Sequence, residues 1–170
     1  MAGPGFIHLH VHSAYSLLEG ALQLGKLLDL AKGDAQPAVG VADTNNLFGA
    51  LEFSEKAAGK GIQPIIGVEL GLDFSMLESQ EDRWQERGND RGQFGKGGVV
   101  LIASSLVGFE NLSRLVSRAH LEGEHGKVTA HLDWLDHAGL EGVICLSGGP
   151  EGAIDPMLAS NHDAVAMFAA

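Results

Sequence analysis

Phe6-Ile7-His8-Leu9-His10-Val11-His12-Ser13-Ala14-Tyr15-Ser16 places three histidines at alternate positions near the start of the chain. As a β-strand, this spacing sends His8, His10 and His12 to one face and Ile7, Leu9 and Val11 to the other. Two neutral imidazoles converging from a strand end can hold a divalent metal without any loop rearrangement. His8 lies deeper along the strand, which suits a packed, hydrogen-bonded ring better than a ligand. The first strand is expected over 6–12, breaking at Ser13.

Working outward, Leu22 to Ala31 carries apolar residues at helical spacing and Gly33 closes it. Pro37 to Ala42 is a short apolar strand ending at Asp43. A second helix is expected from Asn46 to Lys60, with Leu47, Ala50, Leu51 and Ser54 as its buried stripe and Gly61 as its stop. Pro64 to Glu69 forms the next strand. Residues 75–97 have no sustained apolar period; Arg83, Arg87 and Arg91 are offset by Glu78, Glu81, Asp82, Glu86 and Asp90, so the segment reads as a solvated polar excursion. The rhythm resumes with a strand at Gly98 to Ala103, a helix from about Phe109 to His120, a helical turn at Leu132 to His137 and a strand at Gly142 to Leu146. Asp155 to Ala170 reads as helical pieces, with Asn161 or Asp163 as a cap and no stop signal at the end.

About five strands, each followed by a helix or helix-like stretch, indicate parallel βαβ units in an α/β fold. A closed parallel barrel usually takes about seven or eight strands and roughly 250 residues. The pattern therefore fits either an open sheet or the first five or so βα units of a larger barrel, and the uncapped last helix favours the barrel.

Composition narrows the function classes. The 170 residues are 45% hydrophobic, enough for a real core, and carry a net charge of −11. Such an acidic chain is not expected to grip DNA by itself, because phosphate contacts need clustered Lys and Arg. The single cysteine, Cys145, excludes a disulfide framework and, inside an apolar strand, reads as a small core residue. No secretory leader is visible and no apolar run approaches the roughly 18 residues of a membrane span, so a cytoplasmic location is expected.

In a parallel barrel the functional residues sit at the C-terminal ends of the strands. Those ends offer His10 and His12, Asp43, Glu69, Ser104-Ser105 and Ser147-Gly148-Gly149, with Glu19 just beyond the first strand. Two imidazoles and a carboxylate suffice for one Zn²⁺, Mn²⁺ or Mg²⁺ ion, whose bound water becomes a nucleophile. Phosphoester hydrolysis by clustered metals usually needs two ions about 3.5–4 Å apart, hence more ligands. Asp43 reads equally as a turn cap before Thr44-Asn45-Asn46. His120, His125, His131, His137 and His162 are scattered over expected helices and loops and read as structural or solvated. No phosphate loop, nucleophile elbow or Cys-x-x-Cys pair is present.

His8-Leu-His-Val-His-Ser-Ala-Tyr-Ser-Leu-Leu-Glu-Gly20 resembles the opening of the polymerase and histidinol phosphatase (PHP) domain family. More narrowly it is similar to the start of C-family replicative polymerases, the bacterial DNA polymerase III alpha subunits. Ala42-Asp-Thr-Asn-Asn-Leu-Phe-Gly-Ala-Leu-Glu-Phe53, Gly61-Ile-Gln-Pro-Ile-Ile-Gly-Val-Glu69 and Gly108-Phe-Glu-Asn-Leu-Ser-Arg-Leu-Val-Ser117 carry the narrower likeness in the same order. Amidohydrolase-type barrels also begin with His-x-His, but the second and third blocks weigh against them.

The resemblance implies a distorted TIM-like (β/α)7 barrel, with residues 1–170 a partial PHP domain and polymerase palm, fingers and thumb absent. It implies metal ligands at His10, His12 and Glu69, and less firmly at Glu19 and Asp43. Where the family has further ligands, this chain has Thr44, Gly98 and Gly149. The expectation is a remnant site for at most one divalent ion and no polymerase residues. The implied role is a structural module that docks a proofreading exonuclease subunit and other replicase subunits, DNA being reached through the rest of the polymerase. The alternative is a metal-dependent phosphoesterase with 3′–5′ exonuclease activity at the His-x-His site.

Overall fold

A computed structural model describes residues 6–73, 96–123, 128–135, 139–149, 152 and 155. The elements run α1 (Leu24–Gly33), β1 (Ala38–Thr44), α2 (Ala50–Lys60), β2 (Gln63–Asp73), β3 (Lys96–Ala103), α3 (Leu106–Glu122), β4 (Thr129–His131), a 3-10 turn (Leu132–Trp134) and β5 (Val143–Leu146). One mixed sheet has the order β1-β2-β3-β5, with β4 alongside the far end of β2. This is a mixed α/β fold of the expected class, with one difference in strand direction.

β1 and β2 are parallel, joined by α2 as a βαβ unit. β3, however, runs antiparallel to β2, and β5 antiparallel to β3. A parallel connection needs a crossover of a dozen or more residues, usually a helix. The antiparallel pairing of β2 with β3 requires no such crossover. Reversal of β3 puts its first residues, not Ser104-Ser105, at the end of the sheet near Glu69.

Alternation along the strands separates two faces. Val68, Leu70, Leu72, Val99 and Leu101 pack with Leu112, Leu115, Val116 and Ala119 of α3. Val39 and Val41 pack with Leu24, Leu27, Leu28 and Ala31 of α1 and with Phe53 and Ala57 of α2. The opposite face carries Ala42, Val100, Ile102, Ile65 and Leu146, and no helix covers it among the described residues. Glu69 shares this second face, being one residue out of phase with Val68 and Leu70.

Local chemistry sets the helix ends. Ser105 accepts the Gly108 N–H at 3.1 Å, so α3 begins at Leu106, earlier than the expected Phe109. α2 begins later than expected, because Asn46 closes an Asx turn on the Phe48 N–H and donates to the Tyr15 and Thr44 carbonyls. The expected stripe of Leu47, Ala50, Leu51 and Ser54 is not the buried one: Phe53 and Ala57 face α1, while Leu51 is 72% exposed. Gly61 ends α2 at φ 71°, the left-handed cap expected of it.

Residues 6–12 lie alongside β1 but do not form a regular strand. Gly40 N–H donates to the His8 carbonyl and Ala42 N–H to the Val11 carbonyl, so three residues of the first segment span two of β1. The extra residue breaks the alternation and parts His8 from the other histidines. Gly40 is required here, since a Cβ would lie 2.5 Å from the Leu9 carbonyl oxygen. Cys145 is also a correction: it is exposed on β5 rather than in the core. Desolvation still pushes its thiol pKa upward. The expectations for 75–95, for His125, His137 and His162, and for the last helical pieces lie outside the described residues.

Candidate metal centre

Three of the strand-end residues meet. His10 Nε2 lies 2.7 Å and His12 Nε2 2.8 Å from the same oxygen, Oε2 of Glu69, and the two ring nitrogens are 3.1 Å apart. All three side chains are partly open to solvent. They form a group of metal-type ligands with one donor atom each, all within 4.8 Å.

Hydrogen bonding alone does not satisfy this triangle. A ring nitrogen either carries a proton or offers a lone pair. If both rings donate to Glu69, two N–H groups face each other across 3.1 Å. If one ring is the acceptor, the proton of the other must serve two contacts at once. Three lone pairs directed at one cation remove that conflict, and the donor set of two imidazoles and a carboxylate is one that divalent ions accept. The residues therefore fit a single ion.

The other candidates are placed differently. Asp43 is 3% exposed and accepts three hydrogen bonds: Ser13 N–H at 2.6 Å, Ser13 Oγ–H at 2.8 Å and Ser16 Oγ–H at 2.6 Å. It holds the loop that follows His12 and caps no turn of its own. Glu19 accepts a hydrogen bond from the Thr44 hydroxyl instead of joining the triangle. His8 is exposed rather than packed, stands edge-on to Phe6 and lies outside the group. His131 falls on β4 against Trp134.

The three positions where the resemblance lacks ligands are informative. Thr44 pairs directly with Glu69 in the β1–β2 register. A Cβ on Gly98 would lie 2.8 Å from Glu69 Oε1, so a side chain there would enter the site directly. A Cβ on Gly149, at φ 68°, would meet nothing within 4 Å. Two of the three positions thus border Glu69.

Sequence reasoning missed the residues that support the triangle. Ser13 and Ser16 are buried and hold Asp43. Tyr15 Oη–H donates to Glu52 at 2.6 Å, and this bond with the nearby charge raises the tyrosine pKa. Asn45 and His120 tie the end of β1 to β2 and α3. The only advance sign was the cluster of small hydroxyl residues after His12, a pattern that also fits an ordinary turn.

The described residues form a mixed α/β sheet whose second face brings together two histidines and a glutamate that could hold a metal ion. Residues 8–169 match the PHP domain, and the chain belongs to that family. It is 42% identical over 146 residues to a DNA polymerase III subunit alpha of Thermus aquaticus, covering 84% of this chain and 11% of that one. It is 38% identical over 169 residues to the DNA polymerase III subunit alpha of Caulobacter vibrioides, covering 98% of this chain and 14% of that one. The chain thus spans only about a seventh or less of these relatives. Among solved structures, an amidohydrolase from Chromobacterium violaceum aligns at 21% identity and TM-score 0.45, over 67% of this chain and 33% of that chain. No helix among the described residues is long and apolar enough to cross a membrane.

Proposed function

We propose that this chain is the PHP-domain portion of a DNA polymerase III alpha-type replicative polymerase, acting as a structural module and as a docking surface for a proofreading exonuclease subunit. The observation that carries this reading is the reduced ligand set: His10, His12 and Glu69 stand together, while Thr44 and Gly98 occupy the positions bordering Glu69. Among the described residues this three-residue group offers too few ligands for a second ion, and clustered-metal phosphoester hydrolysis uses two. Polymerisation, replicase partners and contact with DNA belong to the longer protein that the relatives imply. The net charge of −11 supports a segment that does not bind DNA by itself.

His10, His12 and Glu69 would hold one divalent ion of the Zn²⁺, Mn²⁺ or Mg²⁺ type. Such an ion supplies a polarised water and a Lewis acid when bound. Asp43, through Ser13 and Ser16, fixes the loop from which His12 projects, and Thr44 restrains Glu19. The second reading is a metal-dependent phosphoesterase with 3′–5′ exonuclease activity, supported by the intact triangle itself.

Elemental analysis of protein purified without chelator, together with a nuclease assay, separates the two. One ion or fewer per chain and no His10-dependent nuclease activity is the expected result. Nuclease activity lost in His10→Ala, whether one ion or more is bound per chain, would overturn the structural reading.

A further inference from the structure

We propose that Asn45 is the positioning residue that sets Glu69 between the two histidines. The β2 edge changes partner at this point: β1 pairing ends at Thr44 with Glu69, and β4 pairing begins at Gly71. Asn45 occupies that junction. Its backbone N–H donates to the Glu69 carbonyl at 2.7 Å and its side-chain Oδ1 accepts the Gly71 N–H at 3.3 Å. Its own carbonyl accepts from His120 Nε2 at 2.8 Å, and because a carbonyl can only accept, that nitrogen carries the proton.

One residue therefore grips the main chain at the Glu69 carbonyl and again two residues further on, and is itself held by α3. Rotation of the strand at a partner change would swing the Glu69 carboxylate away from both rings, whose 2.7 and 2.8 Å contacts converge on a single oxygen. The cost of this arrangement is backbone strain: Asn45 sits at φ 56°, a left-handed conformation that Asn tolerates better than most residues. Glycine would fit that backbone without strain, so the amide oxygen is the part of Asn45 that glycine cannot replace.

The metal arm of the test rests on the proposed metal centre, while the ring arm does not. Asn45→Gly keeps the backbone conformation and removes Oδ1; Asn45→Asp keeps an acceptor oxygen. Zn²⁺ is titrated into the protein against a chromophoric chelator, and imidazole ¹⁵N spectra are recorded on the metal-free protein. Asn45→Gly is expected to weaken Zn²⁺ binding about ten-fold. It is also expected to shift the His10 and His12 ring resonances toward those of Glu69→Gln, and Asn45→Asp to restore both readouts. Unchanged ring resonances in a folded Asn45→Gly protein, or no restoration by aspartate, overturn the positioning role. If the wild type binds no Zn²⁺ and His10→Ala behaves identically, the metal reading falls instead, and the ring spectra alone decide the role of Asn45.

Discussion

Three donors from Ser13 and Ser16 converge on the Asp43 carboxylate, which is almost fully removed from water. Such a group costs its desolvation unless each lone pair is used. Asp43→Asn would set an amide NH₂ against the Ser13 N–H or against serine hydroxyls that already accept the Tyr15 and Thr44 N–H groups, and should destabilise the chain by about 2–3 kcal/mol in urea denaturation. The same change at a solvated ligand would leave stability nearly unaltered. Surface ion pairs at this scale act on pH dependence instead. A hydrogen bond from Lys60, with its charge, lowers the Asp29 pKa; bonds from Lys56 and then Tyr15 lower that of Glu52. A depressed carboxylate adds stability above its unfolded pKa of about 4 and loses it as pH falls through the folded value. The melting temperature should therefore fall less steeply on acidification in Asp29→Asn than in the wild type. The raised Tyr15 pKa works in the opposite direction, contributing below about pH 10 and fading above it.

Elements are set by both periodicity and partner. α2 has two apolar faces in its sequence, and periodicity alone does not choose between them. Phe53 and Ala57 are buried because α1 lies against them, whereas Leu51 borders an open groove of about 530 Å³ with Ile66, Leu106 and Phe109. Phe53→Ala should cost about 3–5 kcal/mol, while Leu51→Ala should cost well under 1 kcal/mol, as measured by chemical denaturation. Equal losses would mean that the wrong face has been taken as core. For α3, the Ser105 cap predicts a loss of about 1 kcal/mol in Ser105→Ala. Gly108 marks a close approach of the same helix to the 142 turn, since a Cβ there would lie 1.9 Å from the Gly142 carbonyl oxygen.

At the scale of the whole molecule, the mixed sheet leaves one edge to account for. Among the described residues β5 has one strand neighbour, β3, and presents Ile144 at 51% exposure. An exposed apolar edge strand templates pairing with another chain. The isolated 170 residues should associate as concentration rises in sedimentation experiments, and Ile144→Lys should suppress that association. A monomer at all concentrations would show that the edge is already protected.

Much of this protein was legible from its residues. The apolar runs located α1, β1, β2, β3, α3 and β5 to within a few residues, because burial imposes a period that a single sequence displays. The four family blocks identified the PHP domain, and the His-x-His spacing with Glu69 marked the residues that meet. Only the tertiary structure decided the direction of β3, the fate of Asp43 and Glu19, and the parting of His8 from His10 and His12. Strand direction depends on what a connection does in space. A carboxylate's partner depends on which distant hydroxyl packs against it, and the alternation failed at one extra residue opposite Gly40. Sequence alone determined which side chains could reach a strand end; the fold determined that, among the described residues, two imidazoles and one carboxylate converge there, because convergence is a property of packing between segments about 60 residues apart.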